Sequence, residues 1–204
     1  MTKGPKFKNH VSPVGTAKLA FIEKPSKPFK EGDSEDYKVR VLLDDTPENR
    51  EWCESVVETA LAEAKQHNIK VKKVYHNPFV YPEDVDPDDY VAEPGKDRAK
   101  YDEDHQGRIF FQAKSKFKPG RIDTDRESLP DNVKIYGDDK IRVKVEAAPY
   151  ANGSNTGVTL RLKTVQLVEK NASFSGGVDT EGFDEIEGYT IGGEGGDAIE
   201  DEDF

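Results

Sequence analysis

The chain has 204 residues, 30 Lys+Arg, 41 Asp+Glu and one cysteine, for a formal net charge of -11. A single cysteine excludes an internal disulfide and a cysteine-built zinc site, and no apolar run approaches the ~20 residues of a membrane helix. The opening Met1-Thr2-Lys3-Gly4-Pro5-Lys6 lacks the apolar segment of a secretory signal, so a reducing cytoplasmic compartment is expected.

Residues 1–13 are basic, with Lys3, Lys6 and Lys8, and are expected to be flexible. Residues 16–23, with Leu19, Phe21 and Ile22, predict a first strand, closed by a Pro/Lys turn from Pro25 to Pro28. Over 37–43 the residues Tyr37, Val39, Val41 and Leu43 alternate with Lys38 and Arg40, the period of two of a half-buried strand. Thr46-Pro47 then opens a helix. Threonine can cap the free amides, and proline suits the first helical position, where no amide donor is needed. Trp52, Cys53, Val56, Val57, Ala60, Leu61 and Ala64 form one apolar stripe, and His67-Asn68 marks the end. This stripe is expected to pack on the core, Trp52 included.

Residues 69–75 predict a short basic strand. From 76 to 107 comes a long acidic insertion punctuated by Pro78, Pro82, Pro87 and Pro94, a length usually reserved for functional or mobile loops. Asp84, Asp86 and Asp88 resemble the start of a calcium loop, but its sixth position is Asp89 rather than glycine and its twelfth is Gly95 rather than glutamate. No metal is therefore expected there. Strands are predicted over 108–118, 133–136, 140–147 and 158–168, separated by the turn signals Pro119-Gly120, Pro130-Asp131-Asn132, Gly137-Asp138-Asp139 and Asn152-Gly153. Several strands, one helix and no repeated βα unit give a mainly β fold, a small β-barrel carrying one helix.

Charge is segregated. No Lys or Arg follows Lys170, and 11 acids lie between Asn171 and Phe204, which leaves 30 basic and 30 acidic residues in the body. The same segment holds eight of the 17 glycines. Glycine loses the most backbone entropy on ordering and like charges repel, so 171–204 reads as a disordered acidic tail on a domain spanning 14–170. It ends in Asp201-Glu202-Asp203-Phe204, a form that a small pocket with basic neighbours can grip.

Catalytic constellations are missing from the pattern. His10, His67, His76 and His105 are scattered without metal-ligand spacing, and Cys53 lies within the helix stripe, where a thiol is inert. The segment from Gly153 to Gly157 lacks the lysine of a phosphate-binding loop. No enzyme activity, cofactor or metal is expected.

Binding chemistry is better represented. Alternation over 108–118 puts Phe110, Gln112, Lys114, Lys116 and Lys118 on one face and Phe111, Ala113, Ser115 and Phe117 on the other. Arg142 and Lys144 oppose Ile141, Val143 and Val145, while Arg161 and Lys163 oppose Val158, Leu160 and Leu162. Adjoining cationic rows would make a groove for phosphates, with Arg121 contributing and with Phe110, Tyr136 and Tyr150 available to stack bases. The same alternation keeps any half-exposed sheet soluble, so an interaction adaptor whose tail is the working part stands as the alternative. Oligomeric state is not encoded in these patterns, and a homodimer is left open.

Two blocks carry a resemblance. One is Val14-Gly15-Thr16-Ala17-Lys18-Leu19-Ala20-Phe21-Ile22-Glu23-Lys24-Pro25 with Tyr37-Lys38-Val39-Arg40-Val41-Leu42-Leu43. The other runs from Phe117-Lys118-Pro119 and Ile122-Asp123 through Ile135-Tyr136-Gly137-Asp138 to Gly157-Val158-Thr159-Leu160-Arg161-Leu162 and Val165-Gln166-Leu167-Val168. With the acidic tail, the chain from about Val14 to Phe204 resembles the bacteriophage single-stranded DNA-binding proteins with an OB-fold, the helix-destabilising proteins of tailed phages. The insertion 76–107 matches no part of that pattern. The resemblance implies a five-stranded barrel that coats single strands in phage replication, recombination and repair within the infected cell. It also implies a tail that contacts replication proteins such as the polymerase, with Phe204 as its functional end.

Overall fold

The computed structural model of the chain describes residues 5–27, 35–91 and 99–171. Expectations that fall on 172–204, Asp201, Glu202, Asp203 and Phe204 among them, lie outside the described residues.

The strands are β1 (Asn9–Val11), β2 (Gly15–Ser26), β3 (Asp36–Asp44), β4 (Phe79–Val80), β5 (Arg108–Ser115), β6 (Gly120–Ile122), β7 (Lys140–Asn152) and β8 (Asn155–Glu169), with helix α1 (Pro47–Gln66) between β3 and β4. Antiparallel ladders join β2 to β3, β3 to β5, β7 to β8 and β2 to β7, and a parallel pairing joins β5 to β8. The ring β2-β3-β5-β8-β7 therefore closes on itself as a five-stranded OB-type barrel. The short strands β1, β4 and β6 attach outside the ring to β7, β5 and β8.

Local chemistry explains the barrel's corners. β2 bends at a register shift between Lys18 and Phe21, where Leu19 adopts a φ of 46°, the kind of bulge that lets one long strand serve two ladders. At its start, a Cβ on Gly15 would stand 2.6 Å from the Leu42 carbonyl oxygen, so only glycine permits that approach. The β7–β8 hairpin turns at Gly153, whose φ of 58° meets the requirement of a tight two-residue turn.

Val39, Val41 and Leu43 from β3, Ile109, Phe111 and Ala113 from β5, and Val158, Leu160 and Leu162 from β8 point inward as their alternation predicts. α1 closes the barrel with Cys53, Val56, Val57 and Ala60. Its first turn is capped as expected, the Asn49 amide donating to the Thr46 hydroxyl at 3.3 Å. Trp52, partly buried, packs against the core, edge-on to Phe79 at 5.4 Å and tilted to Phe111 at 5.7 Å.

Three expected segments differ. Residues 5–13 are not loose, because β1 pairs with β7 and Phe7 is buried edge-on to His67. No strand forms over 69–75, where the backbone amides are spent on closing α1 (Ile69 to the Ala64 oxygen) and on the Thr156 hydroxyl (from Lys72). Nor does one form over 133–136. There the Val133 amide donates to the Pro130 oxygen and the Tyr136 amide to the Asp139 carboxylate, leaving Ile135 as a lone apolar anchor.

The insertion is structured where it is described. β4 and three short 3-10 turns, at Pro82–Asp84, Pro87–Tyr90 and Glu103–His105, carry it around the barrel. Arg50 of α1 ties down its first part, donating to Glu83 at 2.7 and 2.8 Å while also holding Asp45.

Candidate nucleic-acid interface

The outer face of β3, β5 and β8 collects the cations. Lys38 on β3 lies in register with Lys114 on β5, and Lys114 with Arg161 on β8. Like charges directly across a ladder repel and destabilise it. Three in one crosswise row are a cost that folding alone gives no reason to keep. Just beyond β5, Lys114, Lys116, Lys118, Arg161 and Lys163 line a recess of about 620 Å³ around Phe117.

Phe117 is 82% exposed, although alternation put it on the face of Phe111 and Ala113, which is buried. The strand ends at Ser115, and the Phe117 amide donates to the Ser115 hydroxyl at 3.1 Å. That turn breaks the alternation and swings the ring outward among the lysines. The signal available in the sequence was the Pro119-Gly120 pair, which limits how far the ladder can run.

Glu146 on β7 sits beneath this patch, nearly buried, and accepts from Arg161 at 3.0 Å and from Lys163 at 2.6 Å. On its far side Lys6, Lys144, Arg161 and Lys163 line a second recess of about 510 Å³. The track thus runs across β5 and β8 to β7, and Arg161 and Lys163 belong to both recesses. A third recess of about 570 Å³, lined by Arg40, Tyr101, Phe110, Gln112, Lys114 and Tyr150 among others, continues the face toward the insertion. Tyr150 is half-buried at its rim.

Four expected contacts are engaged elsewhere. The Arg121 side chain is 7% exposed and donates to Glu23 at 2.6 Å, to the Val133 oxygen at 2.8 Å and to Asp131 at 3.2 Å, so it is structural and closed to a phosphate. Arg142 donates to the Ser12 carbonyl at 2.9 Å, which fastens the N-terminal segment to β7. Phe110 points outward as predicted but is buried. The rings of Tyr101 and His105 from the insertion lie against it edge-on, 4.7 and 4.8 Å away. Tyr136 is exposed, but it lies under the Lys170 ammonium, 5.0 Å from its ring, and lines none of these recesses.

Among the described residues, no group of three or more His, Cys, Asp or Glu side chains could hold a metal ion. Burial pushes the Cys53 thiol up to about 12, the opposite of an activated nucleophile.

The closed barrel and its cation-lined, aromatic-bearing outer face define a class: an OB-type module built for binding a polyanion. Residues 14–191 match the family described as "Enterobacter phage Enc34, ssDNA-binding protein", and the chain belongs to that family, one defined by binding rather than catalysis. Among solved structures, it is similar to the single-stranded DNA-binding protein from bacteriophage Enc34 in complex with ssDNA. The TM-score is 0.57 at 15% identity, over 80% of this chain and 87% of that one. A C-terminal truncation of the Enc34 protein gives a TM-score of 0.55 at 14% identity, over 80% and 86% of the two chains. The single-stranded DNA-binding protein gp2.5 of bacteriophage T7 is 23% identical over 91% of this chain and 99% of that one, with a TM-score of 0.47. At these identities the Enc34 likeness speaks for the fold. No curated protein matches the chain.

Proposed function

We propose that this protein coats single-stranded DNA without sequence preference, by laying the strand across the outer face of β5 and β8. The observation that carries the reading is the gathering of Lys114, Lys116, Lys118, Arg161 and Lys163 around the exposed Phe117 ring. Cations neutralise phosphates, and an aromatic face stacks any base, so neither needs a particular sequence. Lys144 extends the path toward β7, and Tyr150 flanks it toward the insertion.

The charge segregation supports a second part of the reading. Eleven acids after Lys170, tethered to a charge-balanced body, form a polyanion at high effective concentration that competes with DNA for the cationic face. DNA would displace the tail and free Phe204, with its acidic neighbours Asp201, Glu202 and Asp203, for replication partners such as a polymerase. In this role the protein serves phage replication, recombination and repair in the cytoplasm of an infected cell, and sedimentation would decide between a monomer and a homodimer.

Filter retention of poly-dT across a salt series tests the first part. Binding should weaken linearly in log salt with a slope near ~0.7 per phosphate contact, and retention that ignores salt would favour the adaptor alternative. Truncation after Lys170 tests the second: it should tighten binding most at low salt, whereas unchanged or weaker binding would remove tail competition.

A further inference from the structure

The far half of the same outer face is covered by the chain itself. On β3 the outward residues after Lys38 are Arg40 and Leu42, and on β5 those before Lys114 are Gln112 and Phe110, with Arg40 opposite Gln112 and Leu42 opposite Phe110. Leu42 and Phe110 are nevertheless buried. Over Phe110 and Arg40 lies the last part of the insertion, residues 99–107, while Gln112 stays exposed.

Its contacts pair off with the chemistry of a nucleotide. The Tyr101 ring meets Phe110 edge-on at 4.7 Å, and the Arg40 guanidinium lies over both rings at 5.4 and 5.7 Å. An arginine has only donors, so its 3.1 Å contact makes His105 Nε2 the acceptor. His105 Nδ1 then donates to Asp102 at 2.6 Å, which places that carboxylate one ring away from Arg40. Asp104 pairs with Lys18 on β2, whose other acid is Asp138 at 2.5 Å. An aromatic ring against a phenylalanine, one carboxylate on a lysine and a second reaching an arginine through a histidine present the groups of a base and its phosphates.

We propose that Lys18, Arg40 and Phe110 form a second single-stranded DNA subsite, occupied in the free protein by the chain's own Tyr101–Asp104 segment standing in for a nucleotide. The proposal rests on the reading of the β5–β8 face as the primary path, and the recess shared by Arg40, Gln112 and Lys114 makes the two halves continuous. A strand long enough to pass Lys114 displaces the segment and gains an aromatic platform and up to two phosphate contacts. Short strands bind the uncovered half alone.

The double variant Asp102→Asn, Asp104→Asn weakens the cover without altering either half of the DNA face. It should bind long oligothymidylate more tightly at low salt, with the slope of log affinity against log salt steeper by about 0.7 for each cation freed. A folded variant with unchanged or weaker binding would overturn the proposal. Hydrogen exchange on the unmodified chain is the second measurement and does not depend on the variant folding. The amides of Tyr101, His105 and Gln106, which donate to the oxygens of Asp89, Asp102 and Glu103, should exchange faster when oligothymidylate is saturating. Slower or unchanged exchange there would overturn it while leaving the primary path intact. Failure of the unmodified chain to bind oligothymidylate at all would instead remove the underlying reading.

Discussion

The Glu146 carboxylate accepts a 3.0 Å hydrogen bond from Arg161 across the β7–β8 ladder, and the two residues are direct partners in its register. The acid is nearly buried while the arginine side chain is 51% exposed, so the pair is a cation presented to solvent on a sunken anion. Lys163 shares that carboxylate at 2.6 Å. Glu146 therefore steadies two cations of the exposed cationic face and also subtracts from their potential.

Exchanging Glu146 for Gln separates these two effects. Both cations stand on rigid β8 and keep their positions, so the lost negative charge should dominate. Single-stranded DNA should bind more tightly, with a steeper salt slope, in anisotropy titrations from low to moderate salt.

The register row Lys38, Lys114, Arg161 gives a prediction of opposite sign for stability and binding. Lys114→Gln removes the central charge of three. Thermal stability should hold or rise by about 0.2–1 kcal/mol, because the cross-strand repulsion is relieved. DNA affinity should fall, and the salt slope should lose about 0.7. A loss of both stability and affinity would mean that Lys114 is a packing residue.

Gly157 marks the contact between the root of the insertion and the β7–β8 hairpin. A Cβ there would lie 2.7 Å from the His76 carbonyl oxygen, 2.8 Å from the His76 Cβ and 2.9 Å from the Tyr150 hydroxyl. The nearest of these atoms is backbone and cannot swing away. Gly157→Ala should cost about 1–3 kcal/mol in chemical denaturation, since overpacking forces the backbone at His76 to move.

Asp139 is buried where β8 ends. It accepts from the Tyr136 amide at 2.9 Å, the Lys170 ammonium at 2.9 Å and the Asn171 amide at 2.8 Å. Asp139→Ala removes an acceptor from all three donors, though the Lys170 ammonium keeps the Lys134 oxygen at 2.8 Å, and should cost about 1–3 kcal/mol. The measurement is a melting curve, accompanied by faster proteolysis at the end of the body.

Cys53 offers a simple probe of the folded core. Burial first, then the nearby Glu54 charge, raises its thiol to about 12, so little thiolate exists at neutral or mildly alkaline pH. A disulfide reagent should leave it unmodified in the native chain at pH 8 and titrate one thiol after denaturation.

Much of the fold was legible in the sequence because its signals are local. The alternation over 37–43 and the threonine-proline opening of α1 reflect periods and caps that a few neighbouring residues determine. Strands over 69–75 and 133–136 were misread because β propensity says nothing of whether a partner edge exists. In both places the amides found local or side-chain acceptors instead.

The candidate site divides along the same line. Sequence by itself determined that Lys114, Arg161 and Lys163 face away from the aliphatic rows and that the excess negative charge lies after Lys170, because both follow from order along the chain. Only the tertiary structure decided which cations meet. The parallel β5–β8 pairing brings Lys114 beside Arg161, ion pairs with Glu23 and Asp131 withdraw the buried Arg121 side chain, and the end of β5 turns Phe117 outward. It also decided that an insertion with no readable pattern covers Phe110. Contacts between residues distant in sequence depend on how the barrel closes, and no local period encodes that closure.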